Sequence, residues 1–171
     1  QAWNANTLVE PGGLLKFMHG GEDHRYNPDV IARLQAAGRS GDYELYRDYT
    51  GAAKADFAAK LRALDEIGID DLAILFDDTR GDLPALAARE AEIVHAALAS
   101  TRASRVVMCP TYYSDDRMLD VVFGQRPNGY LEDLGRRLEP TVRVYWTGEE
   151  ICAREFSPGH LTRVAEALGR K

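Results

Sequence analysis

Leu72-Ala73-Ile74-Leu75-Phe76-Asp77-Asp78 is the stretch on which the fold turns. Five apolar residues run without a break and end in two adjacent carboxylates. So short an apolar run, with no polar alternation, predicts a strand covered on both faces, as in a parallel sheet. Helical patterns flank it over residues 52–67 and 83–100. In the first, Phe57, Leu61, Leu64 and Ile67 recur at helical spacing and Gly68 ends the run. Leu86, Glu90, Ile93, Val94 and Ala97 belong to the second. A strand between two helices is the core of a βαβ unit. Ligands of such sheets sit at the carboxyl ends of the strands, which is where Asp77 and Asp78 fall. Two like charges this close cannot both ionise cheaply, which leaves one carboxyl poised as a general acid beside a carboxylate. The plainer alternative is a turn capped by Asp78 with Asp77 solvated, because paired carboxylates also occur in structural networks.

The pattern repeats downstream. Arg105 to Cys109 predicts a second strand, ending at Pro110-Thr111-Tyr112-Tyr113, with Asp115, Asp116 and Arg117 in the loop beyond. Residues 129–138 predict a helix with Tyr130, Leu131, Leu134 and Leu138 on one side, broken by Pro140. Val142 to Trp146 predicts a third strand, ending at Thr147-Gly148-Glu149-Glu150. Ser157-Pro158 starts a last helix with Leu161, Val164, Ala165 and Leu168 on its apolar face. Three strand-then-helix repeats predict a parallel α/β sheet with right-handed crossovers. Polar and aromatic groups gather at all three strand ends, the face on which such folds bind ligands.

The composition narrows the partners. The chain has 171 residues, a length that suggests one domain, and 45% of them are hydrophobic, enough for a packed core. A net charge of -6 argues against a nucleic-acid surface. No segment approaches the length of a membrane span, and the N-terminus lacks the basic and apolar regions of a signal peptide. Cys109 and Cys152 make neither a disulfide framework nor a zinc pattern. A soluble, cytoplasmic protein is expected. His19, Glu22 and His24 have metal-ligand residue types but lie in a polar, Gly-rich loop without a rigid element, so no metal is expected. Arg80-Gly81-Asp82 reads as a salt-bridged loop rather than an adhesion motif.

In that order, LAILFDD, VVMCPTYY, GYLEDLGRRLEP and VYWTG resemble the family-84 glycoside hydrolases, the O-GlcNAcase and bacterial β-N-acetylglucosaminidase enzymes, over about residues 43–171. The resemblance implies part of a (β/α)8 barrel, with three to four parallel strands flanked by helices. It implies hydrolysis of an N-acetylglucosaminide with no metal or organic cofactor. Most glycosidases set two carboxyl groups ~5 Å or more apart across the bond. Sequence neighbours suit substrate-assisted catalysis better, in which the 2-acetamido oxygen attacks the anomeric carbon. By resemblance Asp77 polarises the acetamido N–H. Asp78 protonates the leaving oxygen and later activates water. Tyr113 matches the pocket tyrosine, and Cys109 and Thr111 match the pocket wall. The family's substrate-binding lysine and its Trp-Asp-Asn segment have no counterpart here, so much of the sugar-binding shell is absent. The alternative is an inactive α/β scaffold with idle motifs.

Residues 12–50 resemble a segment of the glutamate synthase large subunit but carry none of its flavin, iron–sulfur or glutaminase residues. This implies an N-terminal segment, 1–50, of loop and helices, joined to barrel-type βα repeats over 51–171. Such a join suits an engineered chimera, a natural fusion or a fragment alike. Leu14 to Met18 predicts an edge strand, and a helix is expected from Asn27-Pro28. Open edges of a short parallel sheet need cover, from this segment or from a second copy, and a homodimer is the expectation.

Overall fold

The computed structural model describes residues 6–9, 15–17, 49, 51–77 and 79–170. Five strands form one sheet: β1 (Asn6–Val9), β2 (Leu15–Phe17), β3 (Asp71–Leu75), β4 (Arg105–Cys109) and β5 (Arg143–Val144). Their order is β2-β1-β3-β4-β5. β1, β3, β4 and β5 are parallel and β2 is antiparallel to β1. The expected α/β sheet of three to four parallel strands is therefore present, with an antiparallel edge where residues 14–18 predicted one. β1 falls in a region whose sequence carries little pattern, and it lies beside β3 at the centre of the sheet. His19, Glu22, His24 and the helix expected from Asn27 lie outside the described residues.

Among the described residues, five helices accompany the strands: α1 (Gly51–Ile67), α2 (Leu86–Ser100), α3 (Met118–Phe123), α4 (Tyr130–Arg137) and α5 (Pro158–Ala167). The short α3 occupies part of the stretch read as loop. The third strand shrinks to Arg143–Val144, because pairing to β4 covers only Val107 and Met108. α5 starts as its sequence predicts: the Ser157 side chain accepts from the His160 backbone N–H, with Pro158 at the first helical position.

Strand alternation separates two apolar layers. Leu72, Ile74 and Phe76 of β3 and its end, with Val106 and Met108 of β4, join the main core. Phe57, Leu61 and Leu64 of α1 enter it, as do Ile93, Val94 and Ala97 of α2 and Leu134 of α4. Ala73, Leu75 and Cys109 form a smaller cluster on the opposite, inner face, with Val107 and Tyr113 packed on it. α2 packs against α1 and α4, and α4 against α5. The α4–α5 approach depends on Gly135, where a Cβ would lie 2.6 Å from Cα of Leu168, on top of rigid backbone. Gly135→Ala is expected to lower stability by ~1–3 kcal/mol, read from the urea midpoint, despite alanine's better helix propensity.

Candidate functional site

β3 ends at Leu75, and the next four residues fold back on themselves. Thr79 donates its backbone N–H to the Phe76 carbonyl at 3.0 Å and its hydroxyl to the same oxygen at 2.7 Å. These two bonds close a turn from Phe76 to Thr79 that holds Asp77. The Phe76 N–H donates to the Cys109 carbonyl at 2.8 Å, which extends the β3–β4 pairing to the turn itself. Asp77 is half-buried. Asp78 lies outside the described residues.

Leu75 and Cys109 are direct neighbours in the register of the sheet. The thiol of Cys109, which is in no disulfide, is buried among inner-face residues, and the half-buried Tyr113 packs on the same cluster. Continuing the alternation of β3 carries Asp77 onto that face too. Asp77 and Tyr113 thus follow the carboxyl ends of two adjacent strands, with Cys109 at the end of the second.

Thr111 goes elsewhere. Its side chain is fully buried, away from any open wall. Its hydroxyl lies 2.7 Å from Oε1 of Glu90 and 2.6 Å from the Thr79 hydroxyl, and its backbone N–H donates to Glu90 at 3.1 Å. Tyr130 donates to the other Glu90 oxygen at 2.5 Å. Burial pushes the Glu90 carboxyl up to about 7, against the pull of the bonds from Tyr130 and Thr111. Sequence reading put Glu90 on the helix without giving it a role. Its signal was position: a carboxylate inside the apolar period of Leu86, Ile93, Val94 and Ala97.

The loops beyond the strands are stitched together. The Tyr113 carbonyl accepts from Thr147 N–H at 2.9 Å, and Asp115 N–H donates to the Gly148 carbonyl at 3.1 Å. Trp146 Nε1–H donates to Nε2 of the buried His160 at 2.9 Å. An indole nitrogen only donates, so the imidazole hydrogen sits on Nδ1, which faces Asp115 at 3.4 Å and Glu149 at 3.6 Å. This anchors α5 to the loops after β4 and β5. Arg80 pairs with Asp82, as the loop reading of that triplet expects.

Tyr112 is the fully buried pin of the β4 loop. It donates to the Gly124 carbonyl at 2.6 Å, stacks edge-on against Tyr130 at 5.3 Å and lies under Arg126. Burial, with Asp120 next in importance, pushes its phenol up to about 12. Gly81 passes so close that a Cβ there would overlap the Tyr112 ring. Gly81→Ala is expected to displace that ring and lower the thermal midpoint by several degrees, for roughly 1–3 kcal/mol of overpacking. Near-ultraviolet circular dichroism would report the moved tyrosine.

A cavity of about 470 Å³ opens between Asp71, Ala73, Arg105, Val107, Arg143, Val144 and Tyr145. It includes the Asp71–Arg105 ion pair at the start of the strands, the end opposite Asp77. Among the described residues no cluster of three or more potential ligands could hold a metal, and no helix is long and apolar enough to cross a membrane.

A family profile described as beta-N-acetylglucosaminidase matches residues 41–171. Among solved structures, a mutant O-GlcNAc hydrolase from Thermobaculum terrenum is 26% identical, with a TM-score of 0.57, over 71% of this chain and 27% of that one. The structure titled CpGH84B is 17% identical with a TM-score of 0.59, over 87% of this chain and 29% of that one, a likeness of fold. This chain therefore spans under a third of the length of those structures. A stretch of 59 residues is 43% identical to the glutamate synthase [NADPH] large chain of Bacillus subtilis (strain 168), covering 34% of this chain and 4% of that protein.

Proposed function

Because the chain belongs to the beta-N-acetylglucosaminidase family, matched over residues 41–171, we propose that its Phe76–Thr79 turn carries the catalytic carboxylates of a retaining glycosidase. The substrate is a β-linked N-acetylglucosaminide. Its acetamido oxygen attacks the anomeric carbon while the glycosidic bond breaks. Asp77 accepts the acetamido N–H and strengthens that nucleophile. Asp78 gives its proton to the leaving oxygen, then takes one from the water that opens the cyclic intermediate. Tyr113 and Cys109 border the acetamido group, and Thr111 acts from beneath by fixing the loop. One observation supports the reading: the turn after β3 that holds Asp77 follows Leu75, which is paired with Cys109 of the next strand in the cluster that Tyr113 packs on. Neighbouring carboxylates fit one side of the sugar better than the two-sided arrangement.

The test is dependence on the acetamido group. Hydrolysis of an aryl N-acetyl-β-glucosaminide and of the aryl β-glucoside lacking that group are compared. The glucoside should be slower by at least ~10³-fold, because it carries no internal nucleophile. Equal rates overturn the mechanism.

The alternative reading is a folded scaffold whose motifs are idle. It predicts a cooperative melt and no turnover. In either case β2 and β5 are the edge strands among the described residues, and we propose that a second copy covers one of them. A monomer mass by light scattering would contradict that. The N-terminal segment, 1–50, is read as glutamate-synthase-like and brings none of that enzyme's activity.

A further inference from the structure

Four oxygens form a buried chain beneath the β3 turn: the Phe76 carbonyl, the Thr79 hydroxyl, the Thr111 hydroxyl and Oε1 of Glu90. The successive separations are 2.7, 2.6 and 2.7 Å, each a hydrogen bond. Three bonds need three hydrogens. A carbonyl supplies none and each threonine supplies one, so the two hydroxyls supply two. With an ionised Glu90 one contact would bring two buried lone pairs together with no hydrogen between them.

We infer that Glu90 is a positioning residue, held as a neutral carboxylic acid whose proton completes the relay Glu90 to Thr111 to Thr79 to the Phe76 carbonyl and so fixes the turn that bears Asp77 and Asp78. The direction of every donor follows. Glu90 donates to Thr111, Thr111 to Thr79, and Thr79 to Phe76. The Thr111 N–H and the Tyr130 hydroxyl occupy acceptor sites that the acid retains. Removing the proton reverses the Glu90–Thr111 bond, and Thr79 must then choose between Thr111 and the turn. The upward push on the Glu90 carboxyl from burial agrees with this count.

Among the described residues, no cation forms an ion pair with Glu90. Tyr130 approaches from α4 and Tyr112 from the loop after β4. Asp82, Asp120 and Arg126 gather around Tyr112. From α1, Lys54 is paired with Glu92, and Lys60 is buried in the helix layer. That the turn is catalytic rests on the proposed function; that Glu90 is a proton-bearing anchor does not.

The experiment is a carboxyl-carbon and amide NMR titration of the whole chain from pH 4 to 9, with no substrate. The Glu90 carboxyl carbon should titrate near pH 7, and the amides of Thr79 and Thr111 should shift with the same midpoint. In Glu90→Gln, whose amide N–H can donate to Thr111 at any pH, those amide shifts should be flat. In Thr79→Val the Glu90 titration should persist while the turn no longer follows it. A Glu90 midpoint near the ordinary 4.5, or a Thr79 amide that ignores the Glu90 titration in the parent protein, would overturn the inference. Neither result depends on glycosidase activity.

Discussion

Asparagine in place of Asp78 is expected to slow hydrolysis of an aryl N-acetyl-β-glucosaminide by ~10²–10⁴-fold, the usual worth of a positioned general acid–base. The size of the loss should depend on the leaving group. A phenol of low pKa departs without a proton, so the first step suffers little and the deficit moves to the water-dependent second step. A weakly acidic leaving group needs the proton and shows the full loss. Asp77→Asn should behave differently, because Asp77 acts on the attacking acetamido group. Its loss, of ~10²-fold or more, should persist for every leaving group. The comparison is a plot of log kcat/KM against leaving-group pKa for the parent and both variants. A steeper slope for Asp78→Asn alone supports the assigned roles. Parallel slopes for both variants would deny Asp78 the role of acid.

Glu90→Ala should be the most damaging single change to the core. It leaves Thr111 N–H and the Tyr130 hydroxyl without their acceptor, and the Thr111 hydroxyl without its donor, in a buried site. Each stranded polar group costs ~1–3 kcal/mol, partly offset by relieving a buried carboxyl. A net loss of about 3 kcal/mol corresponds to a fall of roughly 10 °C in thermal midpoint for a chain this size. Glu90→Gln keeps an acceptor and a donor and should lose much less.

The parent protein should also carry a pH signature. The unfolded chain releases the Glu90 proton near the ordinary 4.5, and the folded chain holds it to about 7. Between those values the folded state binds more protons, so stability falls as pH rises. The loss is roughly 3 kcal/mol, complete above about pH 7. Asp71, Asp82 and Asp133 act in the opposite sense and in another window. Hydrogen bonds from Arg105, Arg80 and Arg137 hold them below the ordinary 3.8, and what they contribute is lost only under more acidic conditions. Urea midpoints at pH 5 and pH 8 isolate the Glu90 contribution: the parent should be less stable at pH 8, and Glu90→Gln should show little difference.

The fold was legible where hydrophobic pattern and punctuation agreed. The apolar run before Asp77 gave a strand because both its faces are covered, by helices on one side and by the inner cluster on the other. Ser157-Pro158 marked a helix start that the structure keeps. β1 was not legible, since four residues without alternation acquire their strand from pairing with β3. Met118 to Phe123 escaped notice because it is a helix of under two turns with Met118, Val121 and Val122 left exposed, so no buried stripe announces it. For the site, sequence placed Asp77, Cys109 and Tyr113 at neighbouring strand ends. It gave Thr111 the same role, but the strand ends at Cys109, and beyond it Thr111 turns into the core. The Glu90 relay could not be read at all, because it joins residues 76, 79, 90, 111 and 130 that meet only through the packing of α2 and α4 on the sheet.

The most direct measurement is steady-state turnover of an aryl N-acetyl-β-glucosaminide by the parent chain, with Asp78→Asn alongside and cooperative unfolding verified for both. The account predicts turnover in the parent and a loss of ~10²-fold or more in the variant. A folded parent with no turnover, or a variant as fast as the parent, would contradict the claim that the Phe76–Thr79 turn carries this chemistry.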